Sequence, residues 1–321
     1  MARRVYEQTF RSTFKVVDKE TLSWFPGHMN RGLKQMQNKL KTVDCVVEVH
    51  DARIPFSGRN GDFKYTIRGV KPHILVFNKV DLIDKRSIPK ITERVKEDCR
   101  NVVFTNCKDH SCRGVKKLFP MAQGLIKNSD RFNRTDSEDF CIMVIGIPNV
   151  GKSSLINNLR NRFLGKAKAT AVGADPGVTK SVLTRIKLSE NPPFYLLDTP
   201  GILTPSIPST EIGLKLALCA TINNHKVGEN IIADYLLYWL NKHEYFSYVD
   251  YFKLAKPSDN IAEVLAQIAT NGKKFLKFKD VTDRQYVIRP DLDAAAKTMV
   301  QAFRDGKLEK VVLDEDIMTQ N

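Results

Sequence analysis

Three short loop motifs occur in this chain in an order that constrains its fold more than any bulk property does. Asn78-Lys79-Val80-Asp81 comes first, Gly146-Ile147-Pro148-Asn149-Val150-Gly151-Lys152-Ser153 second, and Asp198-Thr199-Pro200-Gly201 third. Each closes a short apolar run, at 73–77, 140–145 and 194–197, of the kind that forms buried strands. In a nucleotide-binding domain of ordinary connectivity the phosphate loop opens the chain and Asn-Lys-x-Asp closes it. Here the base-reading segment precedes the phosphate-reading one. A fold that uses all three in this order must be a permuted one.

The chemistry of each motif follows from its residue types. The glycines of the second motif let backbone N–H groups face a phosphate at the start of a helix. Asn149, Val150, Gly151, Lys152, Ser153 and Ser154 supply that cradle. Lys152 can neutralise the β- and γ-phosphates, and the Ser153 hydroxyl can ligate Mg²⁺. Asp198 at a strand end suits the outer shell of the same ion, through water, and the Gly201 N–H can reach the γ-phosphate. In the first motif, Asn78 and Lys79 frame Asp81, whose carboxylate can accept both N1–H and the exocyclic amine of guanine. Asn106-Cys107-Lys108, after the run 101–105, occupies the place expected for a loop behind the guanine O6. Thr179 ends a Gly-, Ala-, Lys- and Thr-rich loop at 165–179, where it can complete a Mg²⁺ shell when a γ-phosphate is present. Ile202 follows Gly201, where many GTPases carry Gln. An Ile orients no water, so intrinsic hydrolysis is expected to be slow. Asn149 offers an amide oxygen to a monovalent cation such as K⁺, or else stabilises its own loop. His28, in Trp24-Phe25-Pro26-Gly27-His28-Met29, is either a structural histidine or a presented catalytic one.

Strand-like runs at 43–49, 73–77, 101–105, 140–145, 182–188 and 194–197 alternate with helical stretches. That pattern predicts an α/β domain with a mostly parallel sheet. The polar stretch 128–139 reads as a linker between its halves. From about Thr210 helix spacing takes over, at 212–222, 230–242, 260–270 and 291–304. Ser258 or Asp259 is expected to cap the third of these, and the whole to be an all-helical second domain. The expected division is a basic arm at 1–21, a nucleotide-binding domain at 22–208 and a helical domain at 209–321.

The net charge of +15 favours polyanionic partners, nucleic acid or an anionic membrane surface. It is unevenly spread: residues 205–321 hold 15 basic and 16 acidic side chains, so the excess lies in 1–204. There it includes Arg160, Arg162, Lys166, Lys168 and Lys180. Lys273-Lys274-Phe275-Leu276-Lys277-Phe278-Lys279 is the one basic–aromatic patch of the helical region. It either packs on RNA or is the edge of an amphipathic strand or helix. Six cysteines without Cys-x-x-Cys pairs or metal-ligand spacing indicate buried thiols and a reducing compartment. No apolar run approaches the roughly 20 residues of a membrane span. The N-terminus is basic and amphipathic with one acid, Glu7, within its first 15 residues. It reads as a mitochondrial presequence or as an RNA-binding arm.

The permuted motif order, Trp24–Met29, Asp51-Ala52-Arg53-Ile54-Pro55 and the phosphate loop with Asn149 together resemble the circularly permuted GTPases of the YlqF/RbgA family, over about 22–306. The resemblance extends to the family's mitochondrial members. It implies a circularly permuted Ras-like G domain of three α/β/α layers followed by an all-α C-terminal domain. The implied activity is GTP hydrolysis with Mg²⁺, linked to maturation of the large subunit of the mitochondrial ribosome. By the same resemblance His28 supports hydrolysis, Asn149 accompanies stimulation by K⁺, and Ile202 matches a hydrophobic residue of the family. Lys152, Thr179 and Gly201 complete the expected catalytic set. Partners implied are that subunit and its rRNA, contacted by the helical domain, in the matrix, with peripheral association at the matrix face of the inner membrane as a further expectation. The near-neutral charge of 205–321 departs from that pattern.

Overall fold

The computed structural model describes residues 9–15, 37–59, 71–165, 185–199, 201, 207, 209–279 and 286–319. Their contacts divide the chain into two compact units. One comprises Trp24–Asn223 and Val311–Asn321, the other Met1–Ser23 and Asn224–Lys310. The units are therefore not consecutive stretches: 210–223 and the C-terminal tail belong with the nucleotide motifs, and the N-terminal segment with the helices.

The first unit is built on a six-stranded sheet. Its strands are β1 (Cys45–Asp51), β2 (His73–Asn78), β3 (Val102–Phe104), β4 (Phe140–Ile145), β5 (Arg185–Ser189) and β6 (Phe194–Asp198), in the order β3-β2-β1-β4-β6-β5. All neighbours are parallel except β5, which runs antiparallel to β6. Every residue of β1 is buried, as befits a parallel strand covered on both faces. On β5 alone exposed and buried residues alternate, the mark of an edge strand with one wet face. Helices α1 (Ile88–Val95), α2 (Arg113–Lys127), α3 (Lys152–Leu164) and α4 (Thr210–Leu218) belong to this unit, as does a short helix at Glu315–Thr319 in the tail. The sheet order reverses between β1 and β4. In open α/β sheets ligands bind at the carboxyl ends of the strands beside such a switch point, and Asn78–Asp81, Asn106–Lys108, Gly146–Ser153 and Asp198 stand at or just after the carboxyl ends of β2, β3, β4 and β6.

The 128–139 linker is polar because it is bound through its arginines. Arg131 and Arg134 both donate to Oδ1 of the fully buried Asp44, at 3.1 and 3.0 Å, while Asp44 Oδ2 accepts from the Cys141 N–H at 2.7 Å. Arg131 also donates to the carbonyls of Ser137 and Asp139. The turn is thereby fastened to the starts of β1 and β4.

In the second unit α5 (Glu229–Lys242), α6 (Ile261–Asn271) and α7 (Leu292–Arg304) match the periodic stretches closely. Two expectations are corrected. Asn260, not Ser258 or Asp259, caps α6, accepting from the N–H groups of Ala262 and Glu263; Asp259 instead accepts from Asn241 and Arg11. The unit is not all-helical either. Strands β7 (Phe275–Lys279) and β8 (Tyr286–Pro290) form an antiparallel hairpin, so the basic–aromatic patch is a strand. All six cysteines are free and five are buried. Among the described residues no helix is long and apolar enough to cross a membrane.

Removing one partner of a buried ion pair strands the others. Asp44→Ala is therefore expected to destabilise the first unit by about 3 kcal/mol or more in urea unfolding. A loss below about 1 kcal/mol would show that the arginine linker is not fastened through this carboxylate.

Candidate functional site

Asn78, the last residue of β2, is 2 % exposed and uses its whole amide. Its Nδ2 donates to the Val150 carbonyl in the phosphate loop at 2.8 Å. Its Oδ1 accepts from the Thr105 hydroxyl and the Cys107 N–H, both at 3.1 Å. One side chain thus joins the Asn-Lys-x-Asp segment, the phosphate loop and the Asn106–Lys108 loop. The Lys108 N–H turns back onto Asn106 Oδ1, and Asn158 of α3 donates to the Cys107 carbonyl.

The glycines of the phosphate loop are required by close approach. At Gly146 (φ +146°) a Cβ would stand 2.3 Å from the Val49 carbonyl oxygen. At Gly151 (φ +101°) it would stand 2.2 Å from Asn78 Nδ2. Any side chain at Gly151 would displace the amide that joins the loops. Gly201 lies against the same loop, since a Cβ there would meet the Pro148 backbone at 2.8 Å. The last motif is therefore brought onto the second. Val150 is buried, and Ser153 and Ser154 stand partly exposed in the first turn of α3.

Charges in the site are buried as well. Lys152 Nζ donates to the carbonyls of Gly146 and Ile147 at 3.1 and 3.0 Å. Burial brings its pKa down to about 8, against the opposing pull of Asp198. Burial raises the Asp198 carboxyl to about 6, with the Lys152 charge pulling the other way. Both Asp198 oxygens are buried without a hydrogen-bond partner among the described residues. A carboxylate left bare beside a phosphate loop fits Mg²⁺, a hard cation that takes oxygen donors and retains waters. Asp198, through water, and Ser153 are the residues that would hold it, and it would supply charge neutralisation at the phosphates.

Sequence reasoning left Asp51 and Arg53 without a role. Asp51 is fully buried at the end of β1 and accepts from Arg53 Nε and Nη2 at 3.0 and 2.7 Å and from Lys79 Nζ at 2.8 Å. Burial alone would raise its carboxyl; the two cations hold it well below the usual carboxylate range. Lys79 sits in the left-handed region at φ 62°, a strained conformation that its ion pair supports. The adjacent Asp81, partly exposed in the 3₁₀ turn Val80–Leu82, is thus set on a fixed backbone. The signal was present in Asp51-Ala52-Arg53, but its partner lies 28 residues on.

Asn149, also left-handed at φ 58°, donates from Nδ2 to the Ala220 carbonyl at 2.7 Å, just beyond α4. The amide nitrogen thus has a structural partner within this unit. His28, Thr179, Ile202, Lys166, Lys168, Lys180 and the 165–179 loop beyond Gly165 lie outside the described residues.

The comparisons agree with this geometry. The family profile for 50S ribosome-binding GTPases matches residues 141–276. It begins at β4 and leaves Asn78–Asp81 outside, as a permuted order requires. "Mitochondrial GTPase 1" of Aedes aegypti is 56% identical over 96% of this chain and 98% of its own length. The chain belongs to the mitochondrial GTPase 1 family. "Mitochondrial ribosome-associated GTPase 1" of Bos taurus is 49% identical over 96% of this chain and 93% of its own length. The crystal structure of GNP-bound YlqF from T. maritima covers 88% of this chain and 97% of its own with a TM-score of 0.57 at 22% identity, a likeness of fold. The chain is a circularly permuted GTPase: it binds GTP and hydrolyses it.

An ammonium at Lys152 and a carboxylate at Asp198 are the forms expected to hold Mg·GTP. Affinity for Mg·GTP is expected to be flat between about pH 6 and 8. It should fall as pH rises past about 8, where free Lys152 loses its proton, and as pH drops below about 6, where Asp198 gains one, by up to about tenfold per unit. Fluorescent-nucleotide titration across that range checks both limbs, and chelating Mg²⁺ should erase the acid limb only. Affinity that climbs above pH 8 would contradict the assignment.

Proposed function

We propose that this GTPase is an assembly factor for the large subunit of the mitochondrial ribosome. It binds the particle and its rRNA in the GTP state and leaves on hydrolysis, in the matrix. One observation carries the reading: similarity to "Mitochondrial ribosome-associated GTPase 1" runs through the helical unit as well as the nucleotide site, over 96% of this chain. A shared nucleotide site alone would support only a shared GTPase activity.

The roles of the site residues belong to the same proposal. Asp81 and the Asn106–Lys108 loop read guanine, with Asn78 and Lys79 framing Asp81. Asn149 to Ser154 hold the phosphates, with Lys152 neutralising the charge that develops on the leaving group. Ser153, Thr179 and Asp198 serve Mg²⁺, and Gly201 contacts the γ-phosphate. Ile202 cannot orient water, so His28 does so once the particle is bound. Asn149 donates its N–H to Ala220 and turns its oxygen to K⁺. Hydrolysis is expected to be slow alone, at least about tenfold faster with large-subunit particles, and faster in KCl than in NaCl. His28→Ala should abolish the particle-dependent part. Lys152→Ala should abolish hydrolysis altogether, and if that variant still supports assembly, GTP is a structural ligand of an RNA-binding protein instead. Equal rates in both salts would remove the cation from Asn149.

The β7–β8 hairpin is the proposed rRNA contact of the helical unit. Opposite residues of an antiparallel pair share a face, so Phe275, Lys277, Ile288 and Tyr286 line one side. Phe275, Tyr286 and Ile288 are 47, 64 and 62 % exposed, and the Lys277 ammonium lies 4.9 Å from the centre of the Tyr286 ring. Aromatic faces interleaved with cations suit bases and phosphates. Lys277→Glu with Tyr286→Ala should weaken binding to an rRNA fragment by about tenfold or more, flatten its salt dependence by about one charge, and leave basal GTP hydrolysis unchanged. If the double variant keeps its RNA affinity but loses binding to anionic vesicles, the hairpin serves the inner membrane surface.

A further inference from the structure

Residues 9–15 read in sequence as part of a presequence or an RNA-binding arm, yet they are built into the second unit. The Arg11 guanidinium lies between two carboxylates, with Nη2 and Nη1 donating to Asp234 of α5 at 2.8 and 3.3 Å and Nε 3.5 Å from Asp259 ahead of α6. The Arg11 N–H donates to Asp259 as well. Flanking aromatics complete the seat. The Phe10 ring stands 5.5 Å from that of Phe246, and Phe14 stands 5.4 Å edge-on to Tyr235 and 5.5 Å from Tyr238. Tyr238 Oη donates to the Ser12 carbonyl at 3.1 Å. With this segment in place Tyr235 and Tyr238 are 0 and 4 % exposed. Without it, two carboxylates would lose their shared cation and two tyrosines their cover.

We infer that 9–15 is a permanent strap of the helical unit, a basic–aromatic peptide bound in cis, and that any N-terminal processing of the protein stops before Thr9. The targeting half rests on the mitochondrial reading above; the strap does not. A presequence is read as an unfolded or helical amphipathic segment. Phe10, Arg11 and Phe14 can serve that purpose during import and then dock as the unit folds. A processing cut after Lys15 would turn the strap into a separate peptide whose return is second-order, so the unit would keep its fold only at reduced stability.

Two measurements on the full chain and its variants decide the matter. Hydrogen exchange in α5 is expected to be at least about tenfold faster in a chain beginning at Val16 and in Arg11→Glu, and unchanged in a chain beginning at Thr9. Should the Val16 chain fail to fold, Phe14→Ala and Arg11→Gln in the full chain give the same reading in milder form. Unchanged α5 protection in all of these overturns the strap. The N-terminal peptide of the protein isolated from mitochondria is expected to start at or before Thr9. A mature start beyond Thr9 overturns retention. Absence of the protein from mitochondria removes the targeting half of the inference, and the exchange data still decide the strap.

Discussion

The amide of Asn78 is the contact on which the site depends. It satisfies a carbonyl of the phosphate loop, a hydroxyl at the end of β3 and the N–H of Cys107 from one buried position. Losing these bonds in a buried setting costs more than any one of them gains in isolation. The partners lie 72, 27 and 29 residues away in sequence. A junction made between strand ends is indifferent to the order in which the chain visits them. That is why Asn-Lys-x-Asp can stand before the phosphate loop without loss, and why Gly151, which leaves room for the amide, is as necessary as the lysine beside it.

The sheet was legible because its strands are buried on both faces and read as continuous apolar runs. The run 140–145 coincides with β4, and the runs 73–77 and 194–197 end one residue short of β2 and β6. In both cases the missing residue is the polar one that opens a motif, Asn78 or Asp198, which is strand by its pairing and not by its polarity. The hairpin was harder. Its exposed face mixes Lys with Phe, Ile and Tyr, so alternation carries no contrast between a wet side and a dry one. Long-range polar contacts were not legible at all. Nothing local marks Asp44 as the acceptor for two arginines of the linker, or Asp51 as the partner of Lys79. Arg11 looked like one more positive charge of a leader, when its carboxylates lie 223 and 248 residues away.

The C-terminal tail belongs to the same class of hidden contact. Asp314, fully buried, accepts from the N–H groups of Phe56 and Ser57, both at 2.9 Å, and from the Ser57 hydroxyl. The Leu313 N–H donates to the Arg53 carbonyl at 2.7 Å, and Val312 joins the apolar cluster of Leu75, Phe77 and Ile91. Lys215 of α4, 1 % exposed, lies 3.4 Å from Asp314 and 2.9 Å from Asp316. Burial disfavours its charge, and the carboxylates around it more than compensate, so its pKa is raised.

These contacts change what the motif order means. The sequence suggests that Asp198–Gly201 leads straight into a separate helical domain. In the structure α4 stays with the nucleotide unit, and 224–310 is an excursion from it that begins after α4 and ends before the tail. Both crossings are fastened on the nucleotide side. Before the first, the Ala220 carbonyl is held by Asn149 of the phosphate loop. After the second, Leu313 and Asp314 are held by the Arg53–Ser57 loop, whose neighbour Asp51 holds Lys79 of the base-reading motif. Lys215 joins the two fastenings to each other. The chain therefore leaves the nucleotide unit beside a residue held by the phosphate loop and re-enters it at residues held by the Arg53–Ser57 loop. Both fastenings lie within the nucleotide unit, and Lys215, ion-paired to Asp314 and Asp316 from the helix that ends just before Ala220, ties one to the other.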